Sequence, residues 1–220
     1  MKIKFTHAVM AGVLFLLCGG TSYALPVTYT DHTDFFNDLT SAGLGSTTLD
    51  FDGLLDGQII ADGESVAGIT FHYDFGGVQM MASNIFDTTS PRNFLGTDDG
   101  DVFLDGDSFG LSFSATHAIG MYFLAADEME DDDIRLIAST ATASLIKAAV
   151  QQTLADGSDV YFLGIIDDVN TFQNASVITP VGGGHFFYNI DDITVSVPEP
   201  GTTMLILIGM LGALKRKLAN

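Results

Sequence analysis

The chain has 220 residues, of which 28 are acidic and 8 basic, giving a formal net charge of −20 at pH 7. A polyanion of this strength is repelled by phosphate backbones and acidic headgroups, which argues against nucleic acid and anionic lipid as partners and favours divalent cations. A single cysteine, Cys18, rules out an intramolecular disulfide.

At the start, Lys2 and Lys4 precede an apolar run from Ala8 to Leu17, and Ser22-Tyr23-Ala24 offers small residues at the two positions a signal peptidase reads. This order predicts a signal peptide over residues 1–24, cleaved between Ala24 and Leu25. Lipidation of Cys18 is disfavoured, because the residue before a lipidated cysteine is normally small and here it is Leu17. The exported chain then contains no cysteine, so its stability comes from packing or a metal.

All 28 acidic residues fall between Asp31 and Glu199, together with only Arg92, Arg135 and Lys147 among the basic ones, a formal charge of −25 for that stretch. Self-repulsion of this size opposes a compact state unless cations screen or bind it. Residues 25–196 are long enough for one domain that buries roughly 70% of its unfolded surface. Asp31 or Thr33 can cap a short helix over Asp34 to Leu39, with Phe35, Phe36 and Leu39 on one face. After it come short apolar or alternating runs separated by Gly, Asp and Asn: Thr48 to Phe51, Gly68 to Tyr73, Val78 to Ala82, Asp101 to Leu104 and Phe109 to Ala115. Further runs are Ile119 to Ala125, Ile134 to Ser139, Val160 to Ile166 and His185 to Val195. Residues 141–154 admit helix or strand, with strand preferred. This spacing predicts a mainly β domain, a sandwich with scarce helix.

Within that body, Asp50-Phe51-Asp52-Gly53, Gly68-Ile69-Thr70-Phe71 and Phe187-Tyr188-Asn189-Ile190-Asp191-Asp192-Ile193 resemble the jelly-roll pattern of carbohydrate-binding modules. The resemblance implies a jelly-roll-like β-sandwich whose first and last strands share a structural Ca2+, with Asp52 and Asp191 as ligands and Asp50 and Asp192 as lesser contributors. Calcium takes six to eight oxygens at about 2.3–2.6 Å, so carbonyls and water would complete the shell. The plainer reading of these aspartates is solvated strand ends that discourage edge pairing. The chain departs from those modules in having no Trp, the usual sugar-stacking residue. Tyr29, Tyr73, Tyr122, Tyr161 and Tyr188 are the aromatic substitutes, and most fall in strand patterns that read as core.

Other motifs carry less chemistry. Asp98-Asp99-Gly100-Asp101 and Asp105-Gly106-Asp107 read as turns, since neither fits the helix–loop–helix calcium template. Asp127 to Asp133 reads as a solvated acidic loop. Gly106-Asp107-Ser108-Phe109-Gly110 matches G-x-S-x-G, but a nucleophile elbow needs a helix after the serine and the residues here alternate as a strand. His32, His72, His117 and His185 are isolated and show no metal-binding spacing. No catalytic residues are assigned.

The chain ends with Val197-Pro198-Glu199-Pro200, an apolar run from Thr202 to Leu214, and Lys215-Arg216-Lys217. The prolines hold the tetrapeptide extended and available to a processing enzyme. Thirteen residues from Thr202 to Leu214 at ~1.5 Å rise give roughly 20 Å, short of the ~30 Å hydrocarbon core, which suits a temporary transmembrane anchor. The basic cluster should stay cytoplasmic and leave the rest outside. This arrangement over residues 197–220 resembles the PEP-CTERM tail of Gram-negative surface proteins. The resemblance implies recognition by a membrane-embedded exosortase-type enzyme, transient residence in the inner membrane, delivery to the cell surface or matrix, and a link to extracellular polysaccharide. The leading expectation is therefore a non-enzymatic, exosortase-sorted surface or matrix protein. The alternatives are a calcium-dependent glycan-binding module and, behind it, a polysaccharide-active hydrolase.

Overall fold

The computed structural model describes residues 25–180 and 186–197. In chain order the first elements are β1 (Val27–Tyr29), α1 (His32–Ser41), β2 (Gly45–Leu49), β3 (Ile59–Ile60), β4 (Ser65–Val66), β5 (Ile69–His72), β6 (Met80–Ser83) and β7 (Phe94–Thr97). They are followed by β8 (Phe103–Leu104), β9 (Phe109–Thr116), β10 (Ala118–Ala125), β11 (Arg135–Ala138), β12 (Ala141–Ser144), β13 (Gln152–Thr153), β14 (Asp159–Ile166), β15 (Phe172–Ile178) and β16 (Phe187–Val197). One sheet runs β1-β14-β10-β16-β7-β6-β3, with β13 beside β14 and both β2 and β8 beside β16; the other runs β12-β11-β15-β9-β5-β4.

The two sheets pack face to face because each offers an apolar side. Ile119, Met121, Phe123, Tyr161, Leu163 and Ile165 from the first sheet share one buried core with Phe71, Phe109, Leu111, Leu136 and Val177 from the second. In β10 the residues between them, Ala118 and Tyr122, face the opposite way and pack with α1 in a smaller cluster built on Phe35, Leu39 and Phe162. The Asp31 carboxylate caps α1 by accepting from Asp34 N at 2.9 Å, a bond worth about 1 kcal/mol. Gly120 and Gly164 lie opposite each other across β10 and β14. A Cβ on either would meet Phe35 and Phe162 ring carbons as close as 2.6 Å, so their bare backbone forms the floor on which Phe35 lies.

β16 is the strand around which the site forms. Gly120 pairs with Thr194 but Tyr122 with Asp191, so two steps on β10 oppose three on β16. This β-bulge lets Ile190 and Ile193 both enter the main core and leaves Asp191 and Asp192 side by side between them, with Asp192 at φ +52°. Val27 pairs with Ile166, Ile166 with Ala118, and Ile119 with Val195. Leu25 and Val197 therefore leave the domain from the same end of this sheet.

The expected mainly β architecture holds: two antiparallel sheets and one short helix among the described residues. Residues 141–154 resolve into β12, a turn and β13. β1, β3, β4, β7 and β15 are additional to the sequence reading. In β15 the inward Phe172, Ala175 and Val177 are separated by Gln173, Asn174 and Ser176, so its apolar alternation is weak. The expected strand start at His185, the signal peptide and the apolar run after Thr202 lie outside the described residues. Among the described residues no helix is long and apolar enough to cross a membrane.

Candidate metal centre

Asp52, just after β2, and Asp191, in the last strand, converge on one hydroxyl. Ser90 Oγ lies 3.2 Å from Asp191 Oδ1, 3.5 Å from Asp52 Oδ1, 3.2 Å from the Asp50 carbonyl oxygen and 3.1 Å from the Asn93 carbonyl oxygen. A hydroxyl carries one proton, so it can satisfy only one of these four acceptors. Asp191 Oδ2 also accepts from Ser90 N at 2.8 Å, from Thr89 Oγ1 at 2.7 Å and from Thr88 Oγ1. Thr89 Oγ1 is in turn 3.1 Å from Asp192 Oδ2. The result is a pocket of oxygens from three chain segments.

Local backbone irregularities aim these groups. Phe51, fully buried, takes φ +57°, a left-handed conformation that costs a bulky residue roughly 1–2 kcal/mol. It brings the Asp50 carbonyl and the Asp52 carboxylate to the same side, where Asp52 Oδ1 fixes Arg92 N and Asn93 N at 3.0 and 2.9 Å. The Asn93 amide closes the turn by donating to the Phe51 and Leu54 carbonyls. On the facing strand the bulge supplies Asp191 and Asp192 together. Left-handed backbone at Phe51 and Asp192 thus sets both halves of the oxygen cluster.

The charge balance of the cluster is unfavourable as it stands. Asp191 has no solvent exposure, and burial holds its carboxyl above the ordinary range, partly offset by its hydrogen bonds from Thr88, Ser90 and Thr89. Burial, then the neighbouring Asp191 charge, pushes Asp192 up to about 6, with Asp50 and Asp52 adding to the shift. The ion pairs among the described residues are Arg135–Asp132 and Lys147 with Glu128 and Glu130. None touches this cluster, so the buried Asp191 carboxylate has no ion-pair partner among the described residues.

Those features fit a hard cation. No three His, Cys, Asp or Glu side chains converge into a metal cage among the described residues. An ion would therefore rest on two carboxylates, Asp52 and Asp191, with hydroxyl, carbonyl and water oxygens completing its shell. An all-oxygen donor set suits calcium, whose shell tolerates irregular geometry, and does not suit zinc. Asp50 contributes its carbonyl to the cluster, and Asp192 touches it through Thr89. The sequence reading missed Thr88, Thr89 and Ser90; three consecutive hydroxyl residues before Pro91 were the available signal.

The remaining sequence candidates have structural partners. Ser108 Oγ accepts from Thr179 N at 3.1 Å and lies 3.4 Å from its carbonyl, and β9 follows it at once, so the G-x-S-x-G match is a strand entry. Asp98, Asp99 and Asp107 fix turns through Gln79 N, Thr97 Oγ1 and Leu104 N. The acidic run from Asp127 is bridged by Lys147 and Arg135. His72 bonds Ser112 Oγ at 2.9 Å and His117 bonds the Asp167 carbonyl at 2.8 Å.

The sorting tetrapeptide begins inside the fold. Val197 pairs with Gly45 as the last residue of β16, while Pro198, Glu199, Pro200, Lys215, Arg216 and Lys217 lie outside the described residues, as does Ala24. No curated protein matches the chain in sequence. Among solved structures, the K2 cleaved adhesin domain of Lys-gingipain is similar in outline, with 12% identity over 70% of this chain and 98% of that one and a TM-score of 0.45. Residues 196–217 match the model of the PEP-CTERM protein-sorting motif, so the chain carries a PEP-CTERM sorting signal, which implies processing by an exosortase and export to the cell surface.

Proposed function

We propose that this chain is a non-enzymatic surface or matrix protein of a Gram-negative bacterium, an acidic domain delivered by its tail to the extracellular polysaccharide. Residues 1–24 act as a signal peptide, 25–196 as a jelly-roll-like sandwich and 197–220 as a tail that anchors transiently in the inner membrane until the exosortase removes it. The observation that carries this reading is the sorting motif over residues 196–217, which follows directly from the central strand β16.

A structural calcium belongs to the same reading. Asp52 and Asp191 would hold it, the Asp50 carbonyl and Ser90 hydroxyl would add oxygens, and Asp192 would lie beside it. When bound, the ion supplies positive charge beside the buried Asp191 carboxylate and Asp52, within the stretch from Asp31 to Glu199 that carries a formal charge of −25. It would tie β16 to the turn after β2 and to the 88–90 segment. The polysaccharide association is tested by fractionating the host with and without its exosortase gene. Recovery of the protein in the polysaccharide fraction only when the exosortase is present supports the reading; equal distribution in both strains contradicts it.

A further inference from the structure

On the outer face of the first sheet, beside the oxygen cluster, a polar cleft of about 420 Å3 is lined by His32, Thr33, Thr89, Tyr122, Gln151, Gln152 and Asp192. That volume lies within the range of small-ligand sites. Its wall is fixed before any ligand arrives. Gln151 Oε1 accepts from His32 N at 3.1 Å, and Gln151 Nε2 donates to the Thr30 and Ala149 carbonyls. This amide ties the start of α1 to the segment before β13. His32 stacks on Tyr122 with ring centroids 5.2 Å apart and planes at 21°, and both rings meet the edge of Phe162.

The groups turned to this cleft offer mixed hydrogen bonding and little charge. The Tyr122 hydroxyl, the His32 imidazole, the Thr33 hydroxyl and the Gln152 amide both donate and accept, whereas Asp192 accepts alone. Burial lowers the His32 pKa, partly opposed by Asp31, which favours the uncharged ring. Among the described residues no Lys or Arg lines the cleft, so an anionic ligand would meet Asp192 without a counter-charge. A ligand with many adjacent hydroxyls and no charge matches this lining, because each hydroxyl also gives and takes a hydrogen bond.

We propose that the cleft between α1 and the β16 bulge binds a neutral hexose unit of a polysaccharide, with Tyr122 and His32 as its aromatic wall and Gln152, Thr33 and Asp192 as its hydrogen-bonding groups. This deepens the polysaccharide association proposed above, naming the sugar class and its site. The cleft shares Thr89 and Asp192 with the cation cluster but does not include Asp52 or Asp191. Asp192, held by the bulge, joins the two.

The test is a glycan array probed with the exported, processed protein in millimolar calcium, carrying neutral hexose oligosaccharides beside uronate-containing and sulfated ones. Tyr122→Phe and Gln152→Ala are compared with the parent, and thermal melts confirm that each remains folded. The expected result is binding to neutral hexose oligosaccharides, weakened about tenfold in each variant, as loss of one well-placed hydrogen bond implies. Binding confined to uronate or sulfated glycans, unchanged affinity in both variants, or no glycan binding would overturn the proposal. Asp52→Asn separates this reading from the calcium site. If it abolishes the calcium shift in melting while neutral-sugar binding persists, both readings stand independently; if calcium shifts the parent's melt but no sugar binds, the cleft alone is rejected.

Discussion

Ile190 and Ile193 both enter the main core although three positions separate them, and the extra residue in that interval turns Asp191 and Asp192 out of the core together. The acidic pair is therefore a consequence of strand register. Deleting Asp192 would remove the bulge and move either Ile190 or the Ile193–Val197 segment to the wrong face. Asp192→Gly keeps the residue count and suits φ +52°. Thermal melts should show a cooperative transition for Asp192→Gly and none for the deletion; a cooperative, parent-like melt for the deletion would refute this role.

The floor under α1 gives a second prediction. Gly120→Ala or Gly164→Ala places a methyl against the buried Phe35 and Phe162 rings, and overpacking of this kind costs about 1–3 kcal/mol. Phe35→Leu removes one of the two rings that either methyl would strike and should recover part of the loss, so a double-mutant cycle in denaturant should give a coupling of at least ~0.5 kcal/mol. Additive effects would show that the glycines are conserving something other than space for Phe35.

Asp167 sets a pH-dependent contribution. Its side chain is buried and accepts from Asn170 N and Ser139 Oγ, each at 2.8 Å, and from Val169 N at 3.2 Å. Burial raises its pKa, but these hydrogen bonds outweigh burial and the net shift is downward. A carboxyl with a depressed folded pKa contributes stability that is present above its unfolded value, ~3.9, and is lost as pH falls through the folded value. Asp167→Ala should cost about 1–3 kcal/mol at pH 7, and the gap between variant and parent should narrow below about pH 4. Urea titrations at both pH values measure it.

The sequence made the sheets legible where large apolar residues alternate, as in Phe109, Leu111 and Phe113 of β9, and it singled out Asp50, Asp52, Asp191 and Asp192, which the fold brings to one cluster. It did not reveal β15, where polar residues interrupt the inward Phe172, Ala175 and Val177, or the bulge, which needs the pairing of β16 with β10 to be seen. The same limit hid Ser90: its hydroxyl acquires meaning only when residues 38 and 101 positions away arrive beside it. Tyr122 read as one more strand aromatic because its direction depends on which face α1 covers.

The tail carries the fourth prediction. Val197 is paired in β16, and the prolines at positions 198 and 200 have a fixed φ and no N–H to donate. Their replacement by alanine removes both fixed φ angles and should lower processing, read as accumulation of the membrane-bound full-length form on immunoblots of host fractions. Unchanged processing and surface delivery would contradict recognition of an extended proline motif.

The central claim is that a specific cation joins Asp52 to Asp191, and it is tested most directly by thermal melting of the processed protein in EDTA, in millimolar calcium and in sodium at matched ionic strength. A ligand bound only by the folded state adds about 2.7 kcal/mol at a hundred times its Kd, enough to shift the midpoint by several degrees in a domain of this size. General screening acts through ionic strength alone and singles out no residue. The account predicts a calcium shift well beyond that in sodium, abolished in Asp52→Asn and in Asp191→Asn. Equal shifts in the two salts, or variants that respond to calcium as the parent does, would contradict it.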